Sequence, residues 1–250
     1  MILDFNNSNA WMSKIDDIFA GYNYSPIVNK FKNSNNALTI DDITSVIGNK
    51  IINSTKNYIQ NTYSHVAYYH GTATNDITSY LDKGLLPLNI KERNLFARKL
   101  FNQSEYPEIT DIIFNNATIE QFKDKNSLEC RNEKLFLTLD DNVLKEESSH
   151  YLIYGGEHLL HLAQNLGYQY PKELPKKLTP LILKCKVSIK LLSEHINIIT
   201  EEIIIRYFEN IIYPEYKFEP LDTGICLTTK IKPEDIIGFE FPTEIKKCYF

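Results

Sequence analysis

His65-Val66-Ala67-Tyr68-Tyr69-His70-Gly71-Thr72 is the stretch on which the reading of this chain turns. Upstream the sequence is polar and Asn-rich. Here β-branched and aromatic residues gather into a short strand, predicted to end in His70-Gly71-Thr72. A histidine followed by glycine at a strand terminus sets an imidazole beside backbone groups that a ligand can approach, because no Cβ stands in the way. Next, Asp76-Ile77-Thr78-Ser79-Tyr80-Leu81-Asp82-Lys83-Gly84 reads as a helix closed by its glycine, with Leu85-Leu86-Pro87 leaving it.

Toward the C-terminus, residues 91–130 are charged and helical in pattern, with Leu95, Leu100 and Phe101 expected on one side, so 89–130 is expected to be a helical insertion or lid. A second strand is predicted over 134–140, a long helix from His150 to Leu166, a third strand over 181–187 and a helix over 201–212. Two further strands, 224–231 and 236–241, are joined by the turn Lys232-Pro233-Glu234-Asp235. Toward the N-terminus, Trp11, Ile15, Ile18 and Phe19 recur as one helical stripe, and Thr39 or Asp41 can cap a helix beginning near Asp41-Asp42. Residues 1–64 therefore read as a helical N-terminal segment and 65–250 as the main domain. The order is that of an α+β fold.

Composition narrows the function. Of 250 residues, 27 are Lys or Arg and 32 Asp or Glu, for a net charge of −5, with 43% hydrophobic and 24% charged. These fractions exclude a disordered chain. The arginines are Arg93, Arg98, Arg131 and Arg206, too few and too scattered for a nucleic-acid binder working by bulk charge. Cys130, Cys185, Cys226 and Cys248 stand apart with no C-x-x-C pair, and free thiols in a reducing compartment are expected. Met1-Ile2-Leu3-Asp4 opens with no basic region and no long apolar run, so neither a signal peptide nor a membrane span is expected. No Gly-rich phosphate loop or G-x-S-x-G elbow occurs, which sets aside kinase, Rossmann, P-loop and hydrolase readings.

The run Tyr151-Leu152-Ile153-Tyr154-Gly155-Gly156-Glu157 is the most distinctive in the chain. Two glycines within a helix cost about 1 kcal/mol each relative to Ala, so a ligand's close approach or a break between two short helices is expected there. In an unbroken helix, Glu157 points well away from Tyr151; a break at Gly155-Gly156 brings both to one side. His158, His161 and Glu157 lack the i, i+4 spacing that presents two imidazoles to zinc, and no metal is expected.

A strand ending in His70-Gly71-Thr72, a helix at once, Gly84-Leu85-Leu86-Pro87, then Leu135-Phe136-Leu137-Thr138 with a Tyr-bearing helix behind it, resembles the ADP-ribosyltransferase superfamily over roughly 65–242. The likeness is to its diphtheria-toxin and poly(ADP-ribose) polymerase branch, of His-Tyr-Glu type. It implies a split β-sheet core and transfer of ADP-ribose from NAD to a macromolecular acceptor, protein or nucleic acid, with no metal and no membrane.

By that resemblance His70 binds the adenosine ribose, the Gly71 backbone holds the nicotinamide amide, and Thr72 matches a small polar neighbour. Phe136 stands where the family has a strand tyrosine, Tyr151 stacks on nicotinamide, and Ser149 (or Ser148) and Tyr154 line the cofactor. The family's glutamate belongs near Asp222-Thr223-Gly224-Ile225, where no Glu occurs; Glu219 and Asp222 are the nearest carboxylates, and Glu157 is the alternative. Proteins of this kind serve as toxins, effectors or anti-phage proteins, placed in the cytoplasm or delivered into that of a target cell. Two other readings stand beside it: an NAD- or ADP-ribose-binding module that transfers nothing, and an interaction protein whose histidine turn and glycine pair serve packing alone.

Overall fold

The structure, a computed structural model, describes residues 1–32, 37–102, 109–121, 131–214 and 223–246. In chain order the first elements are β1 (Ile2–Leu3), α1 (Ser8–Phe19), α2 (Ser25–Phe31), α3 (Ile40–Ile47), α4 (Lys50–Thr62), β2 (His65–Thr74) and α5 (Thr78–Lys83). Then come α6 (Ile90–Asn102), α7 (Asp111–Gln121), β3 (Leu135–Thr138), α8 (Asp141–Glu146), α9 (His150–Tyr154) and α10 (Glu157–Leu166). Last are α11 (Leu174–Lys177), β4 (Thr179–Ser188), α12 (Ile196–Ile212), β5 (Gly224–Leu227) and β6 (Ile236–Glu240). The fold is α+β, as expected. The chain divides into two compact units: Met1–Tyr68 with Lys186–Thr223, and Tyr69–Cys185 with Gly224–Phe250.

The first unit is a helical cluster. The α1 stripe is the one the sequence predicts, with Trp11, Ile15 and Phe19 buried. Phe19 lies flat against Tyr207 of α12, ring centres 4.5 Å apart, and meets Phe208 edge-on at 5.1 Å. Two tyrosine hydroxyls lock the same packing: Tyr207 donates to Asp16 at 2.6 Å and Tyr213 to the Phe31 carbonyl at 2.5 Å. At α3, Thr39 is the cap, its hydroxyl accepting from the Asp42 N–H while the Asp42 carboxylate accepts from the Thr39 N–H. The expected boundary after residue 64 therefore differs from the observed division, since residues 1–64 fold together with 186–223. One apolar stripe on α1 cannot bury itself, and α12 brings Tyr207 and Phe208 against its Phe19.

The strands form an open sheet in the order β5-β3-β2-β4-β6, with β1 also on β2. Parallel pairing sets Ile2 opposite His65, whereas β2/β3, β3/β5 and β4/β6 are antiparallel. A single register pair, Tyr69 opposite Thr138, joins β2 to β3.

In the second unit the structure corrects some of the sequence expectations and meets others. β2 does not end in His70-Gly71-Thr72 but runs on to Thr74, because Thr72, Ala73 and Thr74 are all buried. Residues 90–102 and 111–121 are helical, and Ala97, Leu100, Phe101, Phe114 and Ala117 form one core with Leu159, Leu162 and Ala163 of α10. Leu95, expected beside Leu100, is 63% exposed, since the buried stripe of α6 runs through 97, 100 and 101 instead. The helical stretch 150–166 is broken at Gly155-Gly156 into α9 and α10, the break the glycine pair predicts. Finally, β5 stops at Leu227, and Ile231 forms an isolated bridge with Leu85.

Candidate functional site

The second unit gathers titratable side chains along β2, β3 and the α9–α10 turn. Within β2, alternation sets Gly71 toward the core and His70 and Thr72 to the other face. A Cβ on Gly71 would come 2.9 Å from a Leu144 methyl and 3.3 Å from one of Leu152, so a side chain there would displace the ends of both leucines. Thr72 is buried, its hydroxyl 3.5 Å from that of Tyr80.

His70 is half-buried, and its Nδ1–H donates to the Phe136 carbonyl at 2.9 Å. Continuing the Tyr69–Thr138 register would bring Phe136 opposite Gly71; at that point the side chain of His70 takes the carbonyl. Burial lowers the His70 pKa, the Phe136 hydrogen bond opposes this, and the charge of Arg93 adds to the lowering. The ring is therefore neutral at pH 7, with Nδ1 committed as donor and Nε2 left as an acceptor.

The turn after α9 decides where Tyr151 and Glu157 go. Gly155 is left-handed (φ 74°) and Gly156 has φ 109°, so α9 ends, the chain reverses, and Glu157 opens α10. The Gly155 carbonyl accepts from Arg93 Nη2 at 2.7 Å, and a Cβ there would stand 3.1 Å from the Ala73 carbonyl and 3.2 Å from Arg93.

The break brings Tyr151 and Glu157 to one cation. Arg131 Nη1 donates to the Tyr151 hydroxyl at 3.0 Å and lies 2.5 Å from Glu157 Oε2, while its guanidinium sits 5.4 Å over the Phe136 ring. His150 adds a ring 4.2 Å from that of Tyr151 and places Nε2 3.4 Å from Glu157 Oε1. Burial pushes the Glu157 carboxyl up, but His150, Arg131 and His161 together hold it below its usual value. Phe136 is 40% exposed, so one face of an aromatic ring is open beside this carboxylate.

Not every expected residue joins this rim. Ser149 is fully buried at the start of α9 with its hydroxyl unpartnered, and Tyr154 packs against the α6–α7–α10 core. Glu219 and Asp222 lie outside the described residues, as do Cys130 and Cys248; Cys185 and Cys226 are free thiols. The zinc spacing rejected from the sequence is also engaged elsewhere. His158 is buried and its Nε2–H donates to Asn94 Oδ1 at 2.8 Å, and burial, with the charges of Arg93 and His161, brings its pKa down to about 4. Among the described residues, no group of three or more His, Cys, Asp or Glu is placed to hold a metal ion, and no helix is long and apolar enough to cross a membrane.

Sequence reasoning missed Arg93 and Arg131. Arg93 does carry a signal: it lies four residues before Ala97, on the buried stripe of α6, where a cation is out of place. Arg131 carries none, because its hydrogen-bond and charge partners, Tyr151 and Glu157, lie 20 or more residues away. No protein-family model, curated protein or solved structure matches this chain.

Proposed function

We propose that the second unit is an NAD-dependent ADP-ribosyltransferase acting on a macromolecular acceptor, protein or nucleic acid. The observation that carries this reading is the convergence of Tyr151 and Glu157 on Arg131 beside the open face of Phe136. On the same stretch of sheet stands the neutral His70. The bond to be broken joins nicotinamide nitrogen to ribose C1′. Its electron pair leaves with nicotinamide, and the ribose passes through an oxocarbenium-like state that a nearby carboxylate stabilises. Glu157 is ionised at pH 7, and its Oε1 is in position to accept a ribose hydroxyl's proton in a hydrogen bond. Tyr151 and Phe136 offer faces for the nicotinamide ring, and His70 Nε2 accepts from the adenosine ribose. The acceptor nucleophile then attacks C1′ and loses its proton.

The ion pair between Glu157 and Arg131 favours a second reading, a module that binds NAD or ADP-ribose without transfer, because a carboxylate committed to an arginine stabilises a developing cation less. Incubating the protein and a cell lysate with adenylate-labelled NAD separates the two. Label transferred to a macromolecule, with nicotinamide released, is the expected result. Calorimetric binding of NAD without nicotinamide release establishes the module, and no binding at all sinks both. His70→Ala removes NAD binding while circular dichroism stays unchanged; unaltered affinity in that variant removes the best anchor of the assignment.

A further inference from the structure

Three features of the second unit lie outside the roles given above: the buried His158–Asn94–Gln121 cluster, the Lys145 pairs with Asp141 and Glu240, and Arg93. The first two are internally satisfied in charge. Arg93 is not. Its contacts are the Gly155 carbonyl at 2.7 Å and the Phe96 ring, 4.9 Å from the guanidinium carbon; among the described residues it has no carboxylate partner. Arg131, by contrast, is neutralised by Glu157. One carbonyl and one ring return only part of the solvation that a half-buried guanidinium loses, and the negative charge of a ligand would offset the rest. Burial accordingly pulls the Arg93 pKa down, although it stays charged at pH 7.

Its position is fixed by packing. The α6 stripe buries Ala97, Leu100 and Phe101, which turns Arg93 inward. The Gly155 carbonyl then holds one nitrogen of the fork against β2 at Ala73, next in sequence to Thr72 and three residues from His70. That carbonyl lies in the turn that opens α10, the end of a helix that favours negative charge, and the Tyr80 hydroxyl lies within electrostatic reach of the guanidinium. A planar fork of this kind matches phosphate oxygens two at a time.

We propose that Arg93 is an anion-binding residue that grips the pyrophosphate of a dinucleotide, between the ends held by His70 and by Tyr151 with Glu157. This inference rests on the dinucleotide reading above, and inorganic pyrophosphate serves as a probe that does not depend on it. Calorimetry on the whole chain compares NAD and inorganic pyrophosphate binding to wild type and to Arg93→Met, which keeps an apolar stem over Phe96. The expected result is that pyrophosphate competes with NAD, and that Arg93→Met weakens both about 10- to 100-fold. Equal affinities in wild type and variant overturn the proposal and leave the NAD reading intact. Pyrophosphate bound through Arg93 with no NAD binding sinks the dinucleotide reading and keeps the anion site; no binding of either ligand sinks both. Should Arg93→Met melt early, Arg93→Lys decides: a point charge without the fork weakens binding about tenfold, and unchanged affinity overturns the proposal.

Discussion

Phe19 and Phe136 are both aromatic, and their circumstances are opposite. Phe19 is wholly buried in the first unit, stacked on Tyr207 and flanked by Phe208. Phe136 stands in the second unit 40% exposed under the Arg131 guanidinium, and its carbonyl is held by His70. The first arrangement is what folding alone requires. The second leaves apolar surface wet and charges half-desolvated, and such sites are where ligands find something to gain. The contrast separates a unit packed on aromatic rings from one with a charged, partly exposed rim.

The largest expected effect tests the packing side. Phe19→Ala loses about 3–5 kcal/mol of stability, since it empties a fully buried aromatic site. Urea unfolding measures it, and a loss below about 1 kcal/mol means the first unit's core is not the aromatic cluster described.

Next comes the chemical side. Glu157→Gln is expected to lower nicotinamide release about 10²- to 10³-fold with NAD affinity retained. It is also expected to lower it more than Glu219→Gln does. The reverse ranking moves the proposed carboxylate role to Glu219.

Acid separates the two regions in another way. With the pKa of His158 brought down to about 4, the folded state resists a proton that the unfolded chain takes up near 6.5. Its contribution is whole above pH 6.5 and is lost as pH falls from there through about 4, a decline of about 3 kcal/mol. His70, also lowered, acts in the same direction. His158→Gln is expected to flatten the acid limb of a melting-temperature profile; an unchanged limb assigns the sensitivity elsewhere.

The smallest effect probes the hinge of the comparison. Gly155→Ala forces a left-handed residue with a Cβ against the Ala73 carbonyl, costing about 1–2 kcal/mol. Because that turn alone brings Glu157 to Tyr151, nicotinamide release is expected to fall further than stability does. A loss of stability with full release rules out the turn as the device that assembles the site.

What the sequence discloses follows from how local each cause is. The α1 stripe is legible because helical periodicity shows within twelve residues, and the break at 155–156 because two glycines cannot sit cheaply in one helix. The continuation of β2 through Gly71 is not, since its reason is a pair of leucines more than 70 residues on. Nor is the joining of 1–64 with 186–223, whose Phe19–Tyr207 contact spans most of the chain. The charged rim was half legible. His70, Tyr151 and Glu157 declare themselves by neighbouring glycines, whereas Arg131 is one basic residue in a polar stretch.

The order in which the units use the chain has a consequence for how the protein is made. The sequence passes from the first unit to the second after Tyr68, returns after Cys185, and leaves again after Thr223. On the ribosome, the first unit therefore lacks α12 until residue 212 has been added, and the second lacks β5 and β6 until residue 240 has been added. Neither has a complete core to close while the other is being translated. Nascent chains truncated before residue 196 expose the apolar stripe of α1 and are natural clients for chaperones, and no single cut in the gene yields either unit as one continuous piece.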